Sequence, residues 1–113
     1  MGRNSPESPT TADPNPHEIA ALAAELGEAP ELDLHEMHID EALSALDHFI
    51  NRCFLKGDEA VKIIHGRGTG KLKEAVMKYL QQQPELIAYA RGSNAPGQQG
   101  GVTIAVLHSP HRA

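Results

Sequence analysis

The sequence of 113 residues contains one cysteine, no tryptophan and only four Phe or Tyr residues. A single cysteine, Cys53, excludes a disulfide within the chain and is typical of a small apolar residue on a helix face. No apolar run approaches the roughly 18 residues that span a bilayer, and the polar N-terminus lacks the apolar core of a secretion signal. So few rings make base-stacking platforms scarce. We therefore expect a cytoplasmic protein with no membrane segment and no broad single-strand binding.

The net charge of −5 is concentrated near the N-terminus. Residues 1–31 hold six acidic side chains and one basic one, whereas residues 32–113 hold nine of each sign. Within the neutral part, a stretch without any acid carries Lys62, Arg67, Lys71 and Lys73. A basic patch on a neutral domain is compatible with transient nucleic-acid contact, but it differs from the strongly basic face of a dedicated binder.

Composition divides the chain into four parts. Residues 1–16 are rich in Ser, Pro, Thr, Asn and Asp and predict a disordered tail. Residues 17–30 predict a short helical arm or linker outside the core, and its acidic side chains make it a candidate contact for a partner protein. Residues 31–108 carry the periodic apolar patterns of a folded domain. Residues 109–113 predict a disordered C-terminus.

Hydrophobic periodicity in the folded part predicts an α/β domain with the order βαβαββ. The predicted elements are a strand over 32–34, a helix from Ile39 closed by Gly57, a strand over 60–64, a helix from Leu72 stopped by Pro84, and strands over 86–90 and 102–107. The last two strands flank eleven residues, 91–101, with four glycines. That composition predicts a long, mobile and functional hairpin loop.

Two histidines follow the first two predicted strands. A strand, a crossover helix and a second strand form a right-handed unit whose strands run parallel, so their carboxyl ends meet at one edge of the sheet. Ligands of open α/β sheets bind at that edge. His35 follows the first strand, with Asp33 two residues before it, and His65 follows the second. Each alone would suit a structural histidine, but their shared edge predicts one composite site.

A glycine-rich segment opens the helix after His65. Glycines at 66, 68 and 70 let the backbone approach a ligand closely, and the unpaired N–H groups of a helix N-terminus favour phosphate. The alternative is a tight strand-to-helix turn with glycines for packing alone. The spacing fits neither a P-loop nor a dinucleotide fingerprint, which favours a phosphodiester as ligand. The candidate nucleic-acid-binding residues are Gly66, Arg67, Gly68, Gly70, Lys71, Lys73 and Arg91.

Three motifs in the same order resemble those of the Smr (small MutS-related) domain family. They are Leu32-Asp33-Leu34-His35 before a helix with Glu41-Ala42, His65-Gly66-Arg67-Gly68 opening a second helix, and Gly100-Gly101 before the last strand. The resemblance implies a βαβαββ two-layer sandwich with a four-stranded mixed sheet, similar to the C-terminal domain of bacterial translation initiation factor three. It also implies endonuclease or nicking activity on DNA or RNA, linked to DNA repair, recombination or RNA processing. Glu36 replaces the glycine that usually follows the first histidine.

The residues predict phosphodiester cleavage with His35 as general base or acid, Asp33 orienting it and His65 as a partner acid. A 2′-hydroxyl nucleophile of RNA would need no metal, whereas attack by water on DNA favours Mg²⁺. No histidine or carboxylate spacing matches a zinc pattern, so no metal ligands are predicted. Two alternatives stay open: a non-catalytic module for branched DNA or structured RNA, and a protein-interaction domain using the acidic arm.

Overall fold

In the computed structural model, which describes residues 15–110, three helices and four strands follow in the order αβαβαββ. Their bounds are α1 Pro16–Leu26, β1 Glu31–Asp33, α2 Ile39–Lys56, β2 Ala60–Ile64, α3 Lys71–Gln81, β3 Ile87–Gly92 and β4 Val102–Leu107. The predicted disorder of 1–14 and 111–113 lies outside the described residues. Within the described range, no helix is both long and apolar enough to cross a membrane.

The four strands form one mixed sheet in the order β1-β2-β4-β3. β1 and β2 run parallel, as a strand–helix–strand crossover requires, and the other two pairings are antiparallel. The predicted α/β class, the βαβαββ order and the four-stranded mixed sheet are therefore confirmed. The likeness to initiation factor three stays a prediction.

Helices α2 and α3 cover one face of the sheet. Apolar side chains at helical spacing bury one stripe of α2, including Leu46, Phe49 and Ile50, against strand residues such as Ile63. The helix ends at Gly57, whose φ of 84° suits glycine and directs its N–H to the carbonyls of Cys53 and Phe54. These two helices and the sheet make up the predicted two-layer sandwich.

Helix α1 covers the opposite face, which corrects the prediction of an arm outside the core. Asn15 caps the helix through a side-chain bond to the His17 N–H, and Pro16 occupies its first turn, so these two residues are not part of a tail. The buried stripe of α1 consists of alanines at 20, 21 and 24, which pack with Ile104 and Val106 of β4. The helix is thus a third layer of the fold.

Candidate functional site

The parallel pairing of β1 and β2 brings the two histidine segments together. Asp33 lies opposite Ile64 in the ladder, and the Leu34 N–H donates to the Ile64 carbonyl at 2.7 Å, so the chain leaves both strands at one edge. His35 and His65 line one cavity of about 530 Å³, which we call the glycine-loop pocket. Its lining comprises residues 35–39 and 65–73. The fold therefore brings the two histidine segments to one cavity, as the shared sheet edge predicts.

Asp33 and His35 form an exposed pair at the rim of this pocket. The His35 Nδ1 lies 2.5 Å from Asp33 Oδ1, and the same oxygen accepts from the His35 backbone N–H at 3.0 Å. This hydrogen bond raises the pKa of His35 and lowers the pKa of Asp33. Because Nδ1 faces the carboxylate, Nε2 is the nitrogen left for a ligand, and it has no hydrogen-bond partner in the part of the chain described.

His65 lines the same pocket but is only 4% exposed. Its Nδ1–H donates to the Gly66 carbonyl at 3.0 Å, and its Nε2 accepts from the Thr103 hydroxyl at 2.9 Å, an assignment that suits the neutral ring. Burial lowers the pKa of His65, which keeps the ring neutral. This differs from the prediction of a second proton-transfer group, because both ring nitrogens already have protein partners. His65 instead fixes the start of the glycine loop to β4.

The glycine loop turns into α3 beside His35. Gly70 is the N-cap of α3 in the left-handed region, with φ of 88°, and has no side chain to cap the helix. The Thr69 hydroxyl accepts from the Lys71 N–H through a long contact of 3.4 Å. The first-turn amides and the positive end of the helix dipole therefore face the pocket region, where an anion is stabilised. Lys71 and Lys73 line the same pocket and add positive charge. The glycines and lysines predicted to bind phosphate thus line the same pocket.

Arg67 connects the glycine loop to the β3–β4 loop, residues 93–101. Its Nε donates to the Gln99 carbonyl at 2.9 Å and its Nη2 to the Gly97 carbonyl at 3.2 Å. The backbone N–H groups of His65 and Gly66 both donate to the Gly101 carbonyl at 3.0 Å. The loop predicted to be mobile is therefore held at several points beside the glycine loop. Two of the Arg67 nitrogens, Nε and Nη2, are thus already bonded to this loop.

Arg91, a predicted nucleic-acid contact, is directed to the other face of the sheet. Its guanidinium pairs with Glu18 at 2.8 Å and with Glu25 at 3.0 Å, both from α1. Glu25 is 6% exposed and also accepts from the Ser93 hydroxyl and the Asn94 N–H. The structure therefore does not bring Arg91 to the glycine-loop pocket, since α1 holds this side chain. Two of the acidic side chains expected to face a partner are likewise used internally.

Glu36, at the position of the expected glycine, adopts the left-handed region with φ of 67°. It has the only positive φ of any non-glycine residue in the stretch 15–110. Side chains rarely adopt this conformation because Cβ crowds the following carbonyl. Glu36 also lines the glycine-loop pocket, so it adds a carboxylate beside the lysines of the predicted phosphate site. The substitution therefore changes both the backbone energy and the charge of the site.

Sequence patterns missed a second, smaller cavity of about 290 Å³ on the other side of His35, which we call the loop-side pocket. Asp33, Ile64, Gly97, Gly101 and Val102 line it, together with His35, Gly66 and Arg67. The only signal in the sequence was the glycine pair before β4, since the loop contacts that shape this cavity join distant segments. The Thr103 partner of His65 was missed for the same reason.

A preformed metal centre does not fit the residues present. Among the residues from 15 to 110, no group of three or more His, Cys, Asp or Glu side chains is placed to hold a metal ion. The carboxylates nearest His35 in sequence are Asp33, which is bonded to its ring, and Glu36. The requirement for Mg²⁺ in DNA cleavage stays a prediction.

Comparison with known proteins agrees with these motifs. The sequence pattern of the Smr domain matches residues 32–108. Endonuclease MutS2 of Halothermothrix orenii is 41% identical over 81 residues, which is 72% of this chain and 10% of that protein. Endonuclease MutS2 of Caldanaerobacter subterraneus is 38% identical over the same length, again 10% of the relative. The chain thus matches about a tenth of the length of these relatives.

Solved structures show the same fold. The crystal structure of the Smr domain of Thermus thermophilus MutS2 superimposes with a TM-score of 0.66 at 27% identity, covering 71% of this chain and 99% of that one. The solution structure of the B3BP Smr domain gives a TM-score of 0.57 at 27% identity, covering 81% and 95%. On its sequence, its fold and the geometry of its two histidine motifs, the chain belongs to the Smr domain family.

Proposed function

We propose that this domain cleaves a phosphodiester bond of DNA or RNA at the glycine-loop pocket. One observation carries the proposal: His35, oriented by Asp33, lines the same cavity as the N-terminus of α3 and two lysines. A proton-transfer group and an anion cradle are thus side by side, which is the combination that phosphoryl-transfer chemistry requires. The similarity to proteins named Endonuclease MutS2 supports the same activity.

In the proposed reaction, loop amides with Lys71 and Lys73 bind the phosphate and stabilise the charge that develops on it. On RNA, Nε2 of His35 takes the proton of the 2′-hydroxyl. The 2′-oxygen then bonds to phosphorus, and the bond to the 5′-oxygen breaks as that oxygen takes a proton from water. On DNA, a water molecule replaces the 2′-hydroxyl as nucleophile. Asp33 holds the ring and stabilises its protonated form, as the raised pKa of His35 requires.

The test uses purified protein with supercoiled plasmid and, separately, structured RNA, each with and without EDTA. General acid–base groups contribute about 10²–10⁴-fold, so His35→Ala is expected to lose at least a hundredfold in cutting rate. His48→Ala is a matched control, since that exposed ring bonds the Ser44 carbonyl of α2 outside the pocket. Cutting by His35→Ala at the wild-type rate, with the fold intact by circular dichroism, would remove the proposed role.

A second candidate is a module that binds branched DNA or structured RNA without cutting it. The observation that favours it is Glu36, whose carboxylate lines the phosphate-binding pocket. A binding module would retain a salt-sensitive affinity and leave the nucleic acid intact. The same incubations, analysed for both binding and product, separate the two candidates.

A further inference from the structure

The glycine-loop pocket and the loop-side pocket share His35, Gly66 and Arg67 in their linings. The two pockets are therefore neighbours, and these three shared residues, which we call the ridge, separate them. The Cβ of His35 lies 3.3 Å from the position that a Cβ on Gly66 would take, so the glycine lets the ridge close tightly. A ligand that occupies one pocket and extends past His35 therefore reaches the other pocket.

The two pockets differ in chemistry. The glycine-loop pocket has Lys71 and Lys73 and the positive end of α3. The loop-side pocket has no lysine; it is lined by the apolar Ile64 and Val102, by glycine backbone and by the ionised Asp33. Its one guanidinium, Arg67, already donates to the Gln99 and Gly97 carbonyls of the β3–β4 loop. A carboxylate repels a phosphate but accepts a hydrogen bond from a sugar hydroxyl or a base N–H. Asp33 has such capacity, because its Oδ2 makes no hydrogen bond to residues 15–110.

We infer that the loop-side pocket is a nucleoside subsite, which takes the sugar and base next to the phosphate held by the glycine loop. A polynucleotide alternates charged phosphates with neutral, partly apolar nucleosides. The two pockets show the same alternation, because lysines line the pocket on one side of His35 and apolar side chains line the pocket on the other. This inference rests on the proposed function, since it requires the phosphate to lie in the glycine-loop pocket. It adds that the site recognises a nucleotide rather than a bare phosphate.

Gly101→Ala adds a methyl group to a residue that lines this subsite. A Cβ at position 101 would lie 3.5 Å from Arg67 Cγ and 3.6 Å from the Gly66 carbonyl carbon, which are ordinary contact distances. Gly92→Ala is the matched control, because the nearest atom to its Cβ is the Val102 carbonyl oxygen at 4.0 Å and it lines neither pocket. Neither glycine has a positive φ, so the two substitutions carry no backbone strain.

The experiment titrates the full chain, labelled with ¹⁵N, with inorganic phosphate and with uridine 3′- and 5′-monophosphate. Phosphate is expected to shift amides of 66–73 only, and at least one nucleotide should also shift those of 97 and 101–102. Gly101→Ala should weaken nucleotide binding at least fivefold and leave phosphate binding unchanged, whereas Gly92→Ala should change neither.

Each other outcome overturns a stated part of the argument. Nucleotide binding confined to 66–73, or unweakened in Gly101→Ala, removes the nucleoside subsite and leaves the proposed function standing. If neither phosphate nor nucleotide shifts the amides of 66–73, both the proposed function and the subsite fail. If Gly92→Ala weakens nucleotide binding as much as Gly101→Ala, the effect belongs to the sheet and the subsite is overturned.

Discussion

His35 and Gly66, thirty-one positions apart in sequence, lie so close that a Cβ on Gly66 would approach the Cβ of His35 to 3.3 Å. Gly66 also has a φ of 78°, a conformation that side chains rarely adopt. The glycine of the second motif therefore makes room for the histidine of the first. This contact joins the Asp33–His35 pair directly to the glycine loop.

Gly66→Ala tests this contact against Gly70→Ala as a matched control. Both glycines have a left-handed φ, but a Cβ at 70 would meet nothing within 4 Å. Each variant should lose about 1–2 kcal/mol of unfolding free energy through backbone strain. Only Gly66→Ala should displace His35 from Asp33 and lower the His35 pKa, measured by NMR titration of the ring protons. Equal His35 titration curves in the two variants would contradict the proposed coupling.

Asp33→Asn should change the pH dependence of cutting. The carboxylate raises the pKa of His35, so its loss should let that pKa fall towards the ordinary value of about 6.5. A general base works only when unprotonated, and the acidic limb of the rate–pH profile should therefore move to lower pH. The maximal rate should fall as well, because the ring is no longer oriented. A profile that stays in place would show that the limb does not report His35.

Glu36→Gly and Glu36→Gln separate the two effects of the unusual residue. Glycine relieves about 1–2 kcal/mol of left-handed strain and costs roughly 0.5–1 kcal/mol in chain entropy, so a net gain of about 0.5–1 kcal/mol is expected. Glutamine keeps the strain and removes only the charge. Both should bind nucleic acid more tightly, but only Glu36→Gly should be more stable in urea unfolding. Unchanged affinity in both variants would show that the carboxylate does not oppose phosphate.

Arg67→Lys should loosen the β3–β4 loop while keeping the positive charge. A lysine cannot reproduce the paired donors that reach the Gln99 and Gly97 carbonyls. Loss of about one net hydrogen bond, about 1 kcal/mol, predicts roughly fivefold faster hydrogen exchange at loop amides such as Gly101. Arg52→Lys, on the exposed side of α2, is the control and should leave these rates unchanged. Equal rates in both variants would mean that the loop is held by other contacts.

Glu25→Gln should destabilise the fold by about 3 kcal/mol at pH 7, because it breaks a buried ion pair with Arg91. The guanidinium lowers the Glu25 pKa to about 2 from the higher ordinary value that it regains on unfolding. The stabilisation is therefore present above about pH 5 and is lost as pH falls towards 2. Urea unfolding should show the two proteins converging as pH falls. Glu28→Gln, at an exposed position nearby, should stay within about 0.5 kcal/mol of wild type.

The sequence alone predicted the sheet edge where the site lies. The β2 and β4 bounds match the prediction, and the Gly57 helix end follows from local chemistry. The meeting of His35 with the glycine loop follows from the handedness of a crossover between parallel strands, which is nearly invariant. Periodicity and chain topology therefore suffice to predict an element when its signal lies within one short segment.

Helix α1 shows why the rest was not predictable. Its large apolar side chains Ile19, Leu22 and Leu26 are exposed, while the face that it buries consists of alanines and Glu25. The residues with the strongest apolar signal thus point away from the sheet. Arg91 was misplaced for a related reason, since its partner Glu25 is 66 positions earlier in the chain.

The sequence by itself determined the family, the order of the elements and the presence of a histidine and a glycine loop at one sheet edge. Only the tertiary structure decided which charged groups are free to act there. It buried His65 against Thr103 and gave Arg91 to α1, leaving the His35 Nε2 open to a ligand. Local patterns report on neighbours in sequence, whereas the availability of a charge depends on partners that only folding brings together.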